Sequence, residues 1–300
     1  QGTQSVAVGK QAAQVSQGAS AVAVGYLAGY NAQGASSVAV GHDAGKVSQG
    51  ANSVAIGYFA GSADQADNSV AIGNNAGNDS QGASSVAIGR VAGYNAQGAN
   101  ATAVGYLAGE TDQGDSSVAV GRAAGRNSQG DNAIAIGYLA GQGSQGATTV
   151  AIGQNAGYNV QGANSVAMGY QAGYADQGTK SVAIGIQAAQ NQQGDSSVAI
   201  GNQAGIADQG DSSVAIGDRA GSDNQGNNSV AVGIFAAYGN QGAACTAVGQ
   251  SAGTNAQGNN ATAIGTNSGQ VSQGVSSTAV GHSAGYNAQG TRATAIGEIA

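Results

Sequence analysis

The sequence predicts an all-β fold, a β-solenoid of nineteen 16-residue coils, on three observations. A sixteen-residue unit close to Q-G-x-x-S-V-A-V-G-x-x-A-G-x-x-x begins at Gln1 and recurs at Gln17, Gln33, Gln49 and onward to Gln289, with no insertion or deletion in 300 residues. A chain that keeps phase so strictly stacks like coils, because a one-residue slip would turn every later side chain to the wrong face. The 54 glycines keep the same phase: 18 stand at unit position two, 19 at nine and 15 at thirteen. The apolar residues are almost all Ala, Val or Ile, with aromatics at 4% and neither Trp nor Pro. That set cannot fill a globular core, but it suits a thin core in which each coil touches only its neighbours. The expected organisation is one continuous repeat domain over 1–300, a fragment of a longer fibre, with coils about 4.8 Å apart.

Within one unit, three glycines at about 1 kcal/mol each exclude helix. Positions five to nine, as in Ser53-Val54-Ala55-Ile56-Gly57, alternate as a short strand. The Val, Ile, Thr or Met of positions six and eight then point one way, toward an expected core. The small residues of five, seven and nine point the other way. A second, shorter extended piece is expected around the Ala of position twelve. Glycines at two, nine and thirteen are expected at the corners, where positive φ costs glycine nothing. The lack of Pro leaves every N–H free to pair with the next coil.

Comparison of the units with one another points to partners. Position seven is Ala and position nine is Gly in all nineteen units, whereas position ten holds ten residue types, from Lys and Tyr to Ile and Glu. A face that never drifts is buried. Because the Ala/Gly face lies opposite the Val/Ile pair, the expected cover is a second copy of the chain, packed in parallel along a seam of Ala7, Gly9, Ala23, Gly25, Ala39, Gly41, Ala55 and Gly57. Position one is Gln in every unit, and Gln17, Gln33, Gln49 and Gln65 are expected to form a stacked amide column. All eleven tyrosines fall at positions ten and fourteen. Tyr26, Tyr30, Tyr170 and Tyr174 are candidates for surface contact with sugars or with a neighbouring fibre, or for shielding the edges and seams.

Chemistry is scarce. The two histidines, His42 and His282, stand fifteen units apart, and Cys245 is the only cysteine, in a slot otherwise filled by small residues. No catalytic residue, cofactor or resident metal is expected, and no glycine string has the strand–loop–helix setting of a phosphate site. The pairs Asp64/Asp67, Asp112/Asp115 and Asp208/Asp211 read as solvated turns rather than calcium clips. A net charge of −7 with scattered acids excludes a polybasic nucleic-acid face, and no apolar run is long enough to span a membrane. Thr at position six (Thr102, Thr246, Thr262, Thr278, Thr294) raises ice binding, but those residues are expected on the core face.

The string S-V-A-I-G at residues 53–57, 69–73, 85–89, 181–185, 197–201 and 213–217, with variants such as S-V-A-V-G in other units, resembles the head repeat of trimeric autotransporter adhesins of the YadA type. The resemblance implies a left-handed parallel β-roll and a homotrimer on a cell surface. The adhesin repeat is shorter and less regular, and nothing here matches its neck, stalk or membrane barrel. The expected function is therefore the structural shaft of an extracellular fibre or adhesin. Its partners are expected to be further copies of itself, with end-to-end joining into a filament as an option, and an unknown surface or glycan receptor. A phage tail-fibre shaft and an ice-binding solenoid are the alternatives.

Overall fold

The computed structural model describes all 300 residues. It divides into two compact units, Gln1–Thr149 and Val150–Ala300. Both are parallel β-solenoids without helix, built on the sixteen-residue period.

In the first unit one sheet contains the three-residue strands from Val6–Val8 and Val22–Val24 to Ile134–Ile136. They pair in parallel with Val22 opposite Val38, Ala23 opposite Ala39 and Val24 opposite Val40. A second sheet runs from Val15–Gln17 through Asn31–Gln33 to Ser144–Gln145, again pairing equals with equals, as in Gln33 with Gln49. The second extended piece is therefore not at position twelve. Ala28 lies in a turn, and the strand comes three residues later. The cause is the left-handed pair Leu27 (φ 53°) and Gly29 (φ 53°), which bends the chain sharply around Ala28.

The second unit repeats this pattern, its first sheet running from Val150–Ile152 to Thr294–Ile296. Its second sheet thins near Gly239, where only the bridges Gln225 to Gln241 and Gln241 to Gln257 remain. In the first unit the strand after Gly143 shortens to Ser144–Gln145. These two glycines are the ones out of phase with the rest. The residues that follow them, Ser144 and Asn240, lack the left-handed φ that Ser128 (42°) and Asn224 (48°) carry at the same position.

Hydrogen bonds between coils continue around the corners. Val22 N donates to Ser37 O (2.9 Å), Gly25 N to Val8 O (2.8 Å), Gly29 N to Ala44 O (2.9 Å) and Asn31 N to Lys46 O (2.8 Å). Such dense pairing holds non-glycine residues in left-handed conformations at positions four, eleven and sixteen, among them Asn52 (φ 56°), Val91 (φ 60°) and Ala32 (φ 56°). A β-branched residue such as Val91 adopts that region only where its surroundings over-determine it.

The glycines thus have two distinct reasons. Position nine has φ near +130°, and a Cβ on Gly57 would lie 2.5 Å from Gly73 O in the next coil. Position two needs no positive φ. A Cβ on Gly18 would meet Ala35 N at 2.5 Å, so the demand there is close approach of one backbone to the next.

The core sits inside each coil and is made of small residues. Ala23, Ala39 and Ala55 of position seven and Ala28, Ala44 and Ala60 of position twelve are fully buried, as is Ser53 of position five. This corrects the expected facing of the first strand. Position seven is buried by its own coil, not by a partner, so Ala23, Ala39 and Ala55 present no seam, and the half-exposed Gly25, Gly41 and Gly57 serve as stacking corners. Ala7, in the first coil, is partly buried and packs against the same core cluster, while Gly9 is exposed. The physical reason is volume. A coil that also encloses a Gln side chain has room for Ala and Ser, and the larger Val and Ile are turned outward.

Candidate functional site

The inside of the coil is organised by glutamine. Gln49, Gln65 and Gln81 are 1–2% exposed. Gln49 Nε2 donates to Val38 O of the preceding coil (2.9 Å) and to Gln65 Oε1 of the next (3.2 Å), and Gln65 Nε2 repeats this with Val54 O (2.9 Å) and Gln81 Oε1 (3.1 Å). Gln17 and Gln33 join the same way at 3.2 Å. In the second unit the run continues from Gln177 through Gln193 and Gln209 to Gln225. The glycine at position thirteen makes room for this amide: a Cβ on Gly29 would lie 2.7 Å from Gln33 Oε1. The column binds coil to coil and presents nothing to a ligand.

Cys245 occupies a position-five slot. Its Sγ donates to Gly258 O (2.9 Å), as Ser229 Oγ donates to Gly242 O (2.9 Å) one coil earlier. Burial raises its thiol pKa above the ordinary 9.0, and two backbone hydrogen bonds pull weakly the other way. A buried thiol held protonated is a poor nucleophile.

The surface offers two features. The first is the outward face of the first sheet, formed by positions six and eight. Ile56, Ile88 and Ile136 are each 38% exposed in the first unit, as is Met168 in the second, and the Val residues of position six are half-buried beside them. In-register pairing makes position eight a continuous apolar column within each unit, and position six a column of Val and Ile that Thr102 interrupts in the first. Thr246, Thr262, Thr278 and Thr294 lie on this outward face, not in the core as expected, paired in sequence in the second unit. Positions six and eight vary among Val, Ile, Thr and Met while position seven never varies. That contrast was the available signal for which face was enclosed, and expected residue size obscured it.

The second feature is the exposed column at position ten. Tyr26 is 39% and Tyr170 43% exposed, while Tyr30 and Tyr174 of position fourteen are half-buried. The tyrosines do not stand alone. His42 lies between Tyr26 (4.9 Å between centroids) and Tyr58 (5.1 Å), and Tyr158 stacks parallel on Tyr174 at 4.9 Å. His42 Nδ1 is also 3.0 Å from the buried Asp43, which Lys46 neutralises at 3.2 Å. The acids of the corner pairs are partly committed to the backbone: Asp67 Oδ1 accepts from Ala51 N (2.7 Å), Asp115 from Ala99 N (2.8 Å) and Asp211 from Asp195 N (2.9 Å). No group of three or more potential metal ligands is present, and no helix is long and apolar enough to cross a membrane.

No curated protein matches the chain. The family model of the YadA head domain repeat (2 copies) matches residues 48–76, 113–140, 144–172, 209–236 and 246–268.

Proposed function

The chain carries repeats of the YadA head type, a structural and non-enzymatic kind of repeat that fits adhesion, and on that premise we propose that it is the shaft of a trimeric extracellular fibre or adhesin. The observation that carries this reading is the outward apolar face of positions six and eight. At position eight Ile56, Ile88, Ile216 and Ile264 are 37–40% exposed and the residues of intervening coils, such as Ile72, Val232 and Val248, are half-buried, which together form the kind of contiguous apolar surface that marks an interaction site. Three parallel copies facing one another along these ranks would each bury the same columns, because every coil presents the same residues at the same height. The seam so proposed is the Val/Ile face, in place of the Ala/Gly face.

The mechanism is mechanical. The glutamine column and the backbone bonds stiffen each coil against its neighbours, and the outer face joins copies side by side. Native mass spectrometry of the whole chain tests this. Three copies are expected, and Ile56→Asp together with Ile88→Asp should give monomers that keep their β-sheet signal. A wild-type monomer would overturn the proposal.

A second reading has its own observation. Thr246, Thr262, Thr278 and Thr294 form an outward rank beside Val248, Ile264, Val280 and Ile296, a regular surface of hydroxyl and methyl groups of the kind an ice-binding face uses. Thermal hysteresis from a monomeric chain, lost in Thr262→Asp, would favour ice binding. None is expected from a trimer whose ranks are covered.

A further inference from the structure

The position-ten column of the first unit contains cations with no carboxylate partner, held by aromatic rings. The Arg90 guanidinium lies 5.3 Å from the centroid of the Tyr106 ring, Arg122 lies 6.0 Å from the same ring, and Arg122 lies 5.3 Å from the Tyr138 ring. Arg, Tyr, Arg and Tyr thus alternate over four successive coils. A second run begins with Lys10 over Tyr26 (5.9 Å) and passes to His42. All these side chains are exposed. The chain as a whole is acidic, yet this column holds no acid in the first unit. The acids of the neighbouring columns are already neutralised, Asp43 by Lys46 and Glu110 by Arg126.

We propose that this column is a binding strip for a linear acidic polysaccharide carrying carboxylates. A guanidinium within about 6 Å of a tyrosine ring centroid is attracted to the ring, and where no carboxylate of the chain pairs with it a ligand carboxylate can accept two parallel hydrogen bonds from its N–H groups. The tyrosines between the arginines offer ring edges and hydroxyls to the sugar C–H and O–H groups. Arg90 and Arg122 are two coils apart, about 9.6 Å at ordinary strand spacing. That sparse spacing suits a polymer with an acid on separate sugars. It does not suit duplex DNA, which carries a charge every ~1.7 Å. The strip names a receptor class for the adhesive reading and rests on it only in that sense, since the cations and rings are all on one chain.

The test is binding of the whole chain to alginate oligosaccharide, by titration calorimetry at low and physiological salt, with neutral dextran and single-stranded DNA as comparisons. Alginate binding is expected, weakened at least about tenfold in the Arg90→Gln/Arg122→Gln double variant through loss of charge-assisted bonds. Lys180→Gln, in the other unit, should leave it unchanged. Equal binding by the double variant, equal binding of dextran, DNA binding as tight as alginate binding, or no alginate binding would each overturn the proposal. Native mass measured on the same samples separates the two readings. A trimer that ignores alginate refutes the strip and leaves the shaft, whereas a monomer that binds alginate through Arg90 and Arg122 refutes the shaft and leaves the strip.

Discussion

Gln65 shows how much one side chain does in a coil of sixteen residues. Its amide is 1% exposed and bonds Val54 O and Gln81, so Gln65→Leu strands a buried carbonyl and an amide at once. The expected loss is about 2–4 kcal/mol, read by chemical denaturation. The glycines should separate by position. Gly57→Ala places a methyl 2.5 Å from a backbone oxygen at φ +134° and should cost more than about 2 kcal/mol. Gly61→Ala should cost about 1 kcal/mol or less, because its clash is with the far end of the Gln65 side chain rather than with backbone and because Ala13, Ala189 and Ala237 already occupy the equivalent position at φ 46–47°. Cys245 adds a pH dependence. Its folded pKa is raised above 9.0, so its stabilising contribution is complete below 9.0 and is lost as pH rises through the folded value. Cys245→Ser, which supplies a hydroxyl in the same slot, should remove that alkaline loss from a denaturation profile.

At the scale of the strand, the two faces respond oppositely to volume and charge. The inward Ala55 is fully buried between coils, and Ala55→Val should overpack the core and cost about 1–3 kcal/mol. The outward Ile56, its neighbour, is 38% exposed, and Ile56→Asp should change the stability of an isolated chain by only about 0.5 kcal/mol while abolishing association. The strand itself was legible in S-V-A-I-G, because alternation at period two is what a strand does to a sequence. Its second partner was not. Strands such as Asn31–Gln33 and Ala63–Gln65 hold little but Ala, polar residues and one Gln, so nothing in their hydrophobicity distinguishes them from a loop. They are strands because the backbone of the next coil pairs with them. The left-handed residues at position eleven were hidden for the same reason, since Leu27, Val91 and Arg219 share no composition that would mark a turn.

For the molecule as a whole, the strict period makes length a free variable in steps of sixteen. Deleting residues 81–96 should leave a folded solenoid with the same β-sheet signal by circular dichroism. Deleting 81–95 should not, because the remaining residue shifts every later side chain by one position and turns the glutamines out of the core. The period, the parallel in-register stacking, the glycine corner at position nine and the existence of an amide column were all determined by the sequence, because each is a repeat of identical residues that only stacked identical coils explain. The tertiary structure decided which strand face is the inside. Alternation defines two faces and is symmetric between them, and the usual assumption that the larger apolar side chains go inward fails when the enclosed space is one coil already occupied by glutamine. That space admits Ala and Ser, so Val and Ile go outward, and the surface offered to a partner is the one that residue size had assigned to the core.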